Sequence, residues 1–288
     1  IHNIGARVIG CELASIFNPL GTKITMVEMM DQILPTEDKR VAQAMQQALQ
    51  KRGISIFTKT KLEKLIECRE DGITARFDNG EEVTTEKILI SVGREANTKG
   101  LGLENLSLRV DGKGNIIVNE KMETNLEGIY AIGDVVGGYL LAHVAFEEGI
   151  VAAENALGID SKIDYTSVPN CIFTSPQIGG VGLTLDKAKE EEIEAKLARF
   201  PFAASGKAQA AGEKDGFLQL IVEEDSGRIL GGQIIGPHAA DLIHEIALAI
   251  RWGLTTEQVA STIHAHPTLS EAIMEAAKKA EGKPIHLI

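Results

Sequence analysis

The feature that most constrains this 288-residue chain is the hexapeptide Gly5-Ala6-Arg7-Val8-Ile9-Gly10. Helix-compatible residues follow from Cys11 to Leu20, then the β-rich run Lys23-Ile24-Thr25-Met26-Val27, closed by Glu28. In such a β-turn-α-β sequence the first glycine makes the strand-to-helix turn and the last lets the helix pack on the strand. Gly5-x-Arg7-x-x-Gly10 is therefore a dinucleotide fingerprint whose middle glycine is replaced by Arg7. Glu28 ends the next strand at about the spacing where a carboxylate binds both ribose hydroxyls. Because it is followed by Met29-Met30 rather than arginine, it favours NAD over NADP, since a carboxylate repels a 2′-phosphate. The competing reading is a helix-packing turn beside a solvated glutamate.

The alternation of helix and strand continues and predicts a parallel sheet. Pro35 and Thr36 introduce a helix through Lys51-Arg52, stopped by Gly53, and residues 54–57 follow as a strand. Asp71-Gly72 and Asn79-Gly80 punctuate runs at 62–68, 73–77 and 82–84, which predict a small antiparallel meander before a buried strand at 88–90. From about 94 to 164 Gly/Asn-rich connections surround one apolar strand, 128–132, ending at Gly133-Asp134; a helix at 142–157 comes next. That segment is too loop-rich to own a convincing core. From about 165 onward, strands near 171–173, 195–200, 217–222 and 229–235, with helices at 185–194, 239–252 and 270–280, predict an α+β domain.

Composition narrows the function classes. The net charge of −12 repels a phosphate backbone, so nucleic acid is not an expected partner. No apolar stretch approaches the roughly 18 residues that span a bilayer, so no membrane is expected either. Cys11, Cys68 and Cys171 are widely spaced, with no Cys-x-x-Cys or Cys/His cluster, which excludes a disulfide framework or structural zinc and predicts no metal site. A reducing compartment fits such cysteine usage.

The sharpest chemistry is His264-Ala265-His266-Pro267-Thr268-Leu269-Ser270-Glu271. Glu271 can fold back across the Pro-led turn to accept the His266 N–H, fixing the tautomer and leaving the other ring nitrogen as a base. Thr268-x-x-Glu271 also matches a capping box, which would spend Glu271 on its own helix start. The pattern alone leaves both readings open. A second pair of signals, Gly133-Asp134 at a strand end and Leu140-Leu141-Ala142-His143 opening a helix, suits an anion or an electron-rich ring edge at the helix N-terminus.

In this order, residues 8–13 through Val27-Glu28, then 91–97, 129–135, 141–143 and 264–271 resemble the flavin-dependent pyridine nucleotide-disulfide oxidoreductases, specifically the branch that oxidises dihydrolipoamide. The resemblance covers the whole chain. It implies an α/β fold with a Rossmann-like NAD domain at 1–93, the returning half of an FAD domain at 94–164, and an α+β interface domain at 165–288 that makes a two-fold dimer. It implies FAD and NAD as cofactors and a lipoyl-bearing acyltransferase of a 2-oxo acid dehydrogenase complex as substrate carrier, in the cytoplasm or a mitochondrial matrix. His266 would take the proton of the dihydrolipoyl thiol, oriented by Glu271, at the flavin of the other subunit. Asp134 would bind the flavin's sugar-alcohol chain, and Leu140, Leu141, Ala142 and His143 would lie against its ring. Gly5, Gly10, Glu12, Glu28, Gly93 and Gly133 complete the cofactor-binding positions.

The family's first flavin-binding Gly-rich turn and its Cys-x4-Cys pair belong before the NAD domain, and these 288 residues do not supply them. The chain alone is therefore expected not to turn over. Two other readings stay open: a related reductase acting on glutathione or a metal ion, and a catalytically silent nucleotide-binding or dimerisation module.

Overall fold

The computed structural model describes residues 1–70 and 72–287, so Asp71 of the expected Asp71-Gly72 turn lies outside the described residues. Two compact units are present, residues 1–93 with 169–288, and residues 94–168. In the first unit β1 (His2–Ile4), β2 (Thr25–Val27) and β3 (Ser55–Phe57) are parallel. After an antiparallel insertion of β4 (Leu62–Arg69), β5 (Gly72–Phe77) and β6 (Glu82–Thr85), β7 (Ile88–Ile90) joins β1 in parallel, giving the order β3-β2-β1-β7. Helices α1 (Val8–Phe17) and α2 (Lys39–Lys51) connect these strands. They bury Cys11, Ala14, Val41, Met45 and Leu49 against Met26 and Ile54. Helix α2 begins at Lys39, later than Pro35 and Thr36 suggest, because the Asp38 carboxylate accepts the Arg40 N–H at 2.9 Å and caps it there. The Leu34 N–H, bonded to Ala6 O at 2.8 Å, instead ties the preceding turn to the fingerprint loop.

The second unit holds α3 (Ala142–Ala156), short 3₁₀ turns and isolated bridges. The apolar run at 128–132 does not form the expected strand; it is reduced to the bridge between Glu123 and Tyr130. A buried strand needs a hydrogen-bonded neighbour on each edge, and within the described residues of 94–168 no named strand flanks it. Ile129 and Ile132 accordingly remain exposed.

The first unit is completed by an antiparallel sheet of order β10-β11-β12-β9-β8, formed by β8 (Asn170–Ile172), β9 (Gln177–Gly182), β10 (Ala195–Pro201), β11 (Phe217–Glu223) and β12 (Ile229–Gly236). The helices are α4 (Leu185–Glu190), α5 (Gly206–Ala211), α6 (Ala239–Arg251), α7 (Thr256–Ser261) and α8 (Glu271–Ala280). Period-two alternation assigns each face. Leu218, Leu220 and Ile234 pack with Ile243, Ile246, Ile273 and Ala277 of α6 and α8. Phe217 and Ile235 turn the other way, into the core of α1, α2 and the parallel sheet. Strand β9, Gln-Ile-Gly-Gly-Val-Gly, carries no strand signal in sequence. Its glycines instead allow close helix packing: a Cβ on Gly179 would lie 2.6 Å from Ala239 O.

Candidate functional site

At the fingerprint turn Gly5 has φ +95°, and a Cβ there would lie 2.5 Å from Ser91 O; one on Gly10 would lie 2.0 Å from Gly5 O. Both positions therefore require glycine. Arg7 does not: its backbone is extended (φ −79°, ψ −167°) and its side chain is exposed at the start of α1. Beneath the turn, buried Asn3 donates to Gly10 O at 2.7 Å and accepts from the Ser91 hydroxyl at 2.9 Å. The sequence gives Asn3 no role, since in a strand as short as His2-Asn3-Ile4 no pattern singles it out.

Glu28 is 4% exposed, which rules out the solvated-glutamate reading. Its Oε2 accepts the Ala6 N–H at 2.8 Å and its Oε1 the Met30 N–H at 3.0 Å. An ionised carboxylate has about four lone-pair sites, so these two bonds orient it without saturating it. A nucleotide's ribose fits that acceptor, and the open first turn of α1 with the Arg7 cation fits a pyrophosphate. Glu12 is engaged differently: its Oε1 accepts the Phe173 N–H at 2.8 Å, fastening α1 to the residue after β8. Gly93 (φ +139°) has nothing within 4 Å of where a Cβ would stand.

In the second unit the Asp134 carboxylate, half-exposed, takes Arg94 Nη1 at 2.5 Å, and Arg94 Nη2 donates to Leu140 O at 2.7 Å. One guanidinium thus ties the Gly133-Asp134 turn to the entry of α3, where Leu141 stands at the N-cap position without a side-chain cap and Ala142 and His143 open the helix. Arg94 lies within the matched stretch 91–97, but its pairing was not legible there. The other fastener is Glu148, 2% exposed, which accepts the Gly133 N–H and the Tyr165 hydroxyl, each at 2.7 Å. Burial and then the Glu148 bond push the Tyr165 phenol well up, so it stays a donor. A half-exposed carboxylate beside an exposed helix start fits the polar chain and ring edge of a flavin.

The acidic and basic partners of the third cluster meet. His266 Nδ1 lies 2.9 Å from Glu271 Oε1, and Glu271 Oε2 accepts the Thr268 N–H at 2.8 Å. A carboxylate accepts only, so Nδ1 carries the hydrogen and Nε2 is left as the basic nitrogen. The side chain of His266 is 73% exposed, that of Glu271 17%. Burial raises the Glu271 carboxyl, but the Thr268 N–H, the His266 bond and the charges of His266 and His286 outweigh it and hold it below the usual range. The reciprocal capping box does not form, because Thr268 Oγ1 donates instead to Ala265 O at 2.7 Å. One carboxylate therefore serves both the ring and the turn. Elsewhere, burial pushes the Cys11 and Cys171 thiols up, away from thiolate chemistry. Among the described residues no His, Cys, Asp and Glu cluster could hold a metal ion, and no helix is long and apolar enough to cross a membrane.

Comparison with known proteins matches residues 2–149 to the pyridine nucleotide-disulphide oxidoreductase model and residues 168–277 to the dimerisation domain of the same enzymes. The chain is 46% identical over 288 residues to a dihydrolipoyl dehydrogenase of Bacillus subtilis, covering 98% of this chain and 60% of that protein. It is 44% identical over 283 residues to that of Chlamydia pneumoniae, covering 98% and 61%. It thus spans about 60% of the length of the curated relatives it matches. Among solved structures it resembles LpdA from Mycobacterium tuberculosis (TM-score 0.89, 29% identity, 96% of this chain and 61% of that chain). It also resembles the HOCl-induced flavoprotein disulfide reductase RclA from Escherichia coli in its Cu(II) complex (TM-score 0.90, 25% identity, 96% and 63%).

Proposed function

Because the chain belongs to the pyridine nucleotide-disulphide oxidoreductases, a family that uses FAD and NAD, we propose that it is the NAD-binding and dimerisation portion of a dihydrolipoyl dehydrogenase. The whole protein would oxidise dihydrolipoyl groups, presented by the acyltransferase of a 2-oxo acid dehydrogenase complex, and pass the electrons through FAD to NAD. In this reading residues 1–93 are the NAD domain, 94–164 the returning half of the FAD domain and 165–288 the interface domain of a homodimer. The observation that carries it is the His266 to Glu271 pair, whose outward nitrogen is exposed on the domain that makes the dimer.

Bound FAD and NAD supply the two-electron chemistry, which no side chain described here provides. His266 Nε2 takes the proton of the substrate thiol, producing the thiolate that is the reactive species. Glu271 Oε1 holds the ring in the Nδ1–H tautomer and stabilises the imidazolium once it forms. Thr268, by binding Glu271 Oε2, prevents that carboxylate from rotating away. Glu28 would hold the adenosine ribose through hydroxyl contacts, the first turn of α1 and Arg7 would meet the pyrophosphate, and Asp134, fixed by Arg94, would take the flavin's hydroxyl chain. Leu140, Leu141, Ala142 and His143 would exclude water from one side of the bound ring, while Gly133 shapes the turn that presents Asp134.

The test is His266→Gln in the full-length protein that contains this chain. Dihydrolipoamide-dependent NAD reduction should fall by about 10²–10⁴-fold, the usual share of a general base. The flavin should stay bound. Unchanged turnover, or full turnover by the 288-residue chain alone, would overturn the reading.

A further inference from the structure

The segment between α7 and α8 has to place His266 accurately, yet it has little apolar anchorage. Ile263 is 96% exposed, and packing against the core resumes only at Leu269. Polar contacts hold the segment instead. The His264 side chain is only 6% exposed, although a solvent-facing Ile263 precedes it and the exposed His266 follows two residues on. Its Nδ1 lies 2.9 Å from Thr262 O within the segment, and its Nε2 lies 2.8 Å from Glu245 Oε1 on α6. Thr268 closes the far side through Ala265 O. The short stretch around Ala265 is thus fastened to α6 by one histidine and to α8 by the other.

We propose that His264 is a positioning residue for the proton-transfer pair: donating from Nε2 to Glu245 on α6, it locks residues 262–268 onto that helix and so fixes where His266 meets Glu271. The proposal rests on the reading of His266 given above. It separates the work of two histidines of the same short motif. His266 faces the substrate, while His264 is spent entirely on the protein. Once the His264 bridge is cut, the segment can swing on the exposed residues around Ile263, and the bond from His266 to Glu271 is no longer enforced from both sides.

The tautomer of His266 reports this directly. A free imidazole in water favours the Nε2–H form, whereas a carboxylate at Nδ1 enforces the Nδ1–H form with Nε2 bare. Long-range ¹H–¹⁵N spectra of the ¹⁵N-histidine-labelled 288-residue chain, at about pH 8.5 where an ordinary imidazole is neutral, distinguish the two. The parent chain should show His266 almost wholly as Nδ1–H. In His264→Phe and in Glu245→Ala that form should drop to a minority, with the overall fold kept by circular dichroism. Glu245→Gln should behave as the parent, because the amide oxygen accepts in the carboxylate's place. Glu245 is partly exposed, so Glu245→Ala decides the matter even if His264→Phe fails to fold. A His266 that stays Nδ1–H in Glu245→Ala overturns the positioning role alone. A parent chain with His266 mainly Nε2–H overturns the proton-transfer reading and the positioning role together.

Discussion

Glu28→Ala should cost the first compact unit about 3 kcal/mol. The carboxylate is 4% exposed and accepts the Ala6 and Met30 N–H groups at 2.8 and 3.0 Å. A hydrogen bond to a charged group contributes about 1.5–3 kcal/mol net, and a buried donor left unpaired costs about 1–3 kcal/mol. Two such donors at the centre of the turn would lose about 3–6 kcal/mol. Water entering the space left by the side chain recovers part of that, which sets the expectation near the lower end. At about 2–4 °C per kcal/mol for a unit of this size, the melting temperature should fall by about 6–12 °C. Glu28→Gln should cost about half as much, since the amide oxygen keeps one acceptor while the amide nitrogen confronts the other N–H. Thermal melts give the total, and amide exchange at Ala6 and Met30 localises it, with both amides exchanging much faster in Glu28→Ala. A loss below about 0.5 kcal/mol, typical of a surface substitution, would refute the claim that these bonds organise the turn.

Three further outcomes follow from the same contacts. Arg7→Gly should strengthen NADH binding to the chain about fivefold by calorimetry, because close backbone approach to the pyrophosphate outweighs an exposed cation that contributes at most about 1 kcal/mol; weaker binding would show that the guanidinium is itself the main contact. Glu275 is 1% exposed and its Oε2 accepts the Ile285 and His286 N–H groups at 3.1 and 3.2 Å, so Glu275→Ala should release residues 283–287 to carboxypeptidase and cost about 2 kcal/mol in a denaturant titration. Burial raises the Glu37 carboxyl above its ordinary value despite the Asn170 and Thr36 bonds and the Lys187 charge. The folded state therefore holds that proton more tightly than the unfolded chain, and stability falls as pH rises from about 4.3 through the raised value. Glu37→Gln should abolish that decline and be more stable than the parent at pH 7, but not below pH 4, in paired urea titrations.

The parts that depend on local chemistry were legible in the order of the amino acids. Gly5 and Gly10 announce the strand-to-helix turn because no side chain fits at either place, and Glu28 announces the acidic end of β2. The apolar runs at 217–222 and 229–235 read as strands, and the spacing from His266 to Glu271 allowed the pair that forms. Tertiary structure decided what depends on neighbours distant in the chain. Residues 128–132 read as a strand and form only a single bridge, from Tyr130 to Glu123, since no strand among the described residues of that unit lies along their other edge. Strand β9 does not read as one, and forms by pairing with β12 and β8, while its glycines let α6 lie close upon it. Asn3, Arg94, Glu148, His264 and Glu275 each act by binding a group at least seven residues away, which no spacing rule could foresee. The pattern also left Glu271 between helix cap and imidazole partner: its two oxygens divide between Thr268 and His266, and that division exists only once the turn has closed.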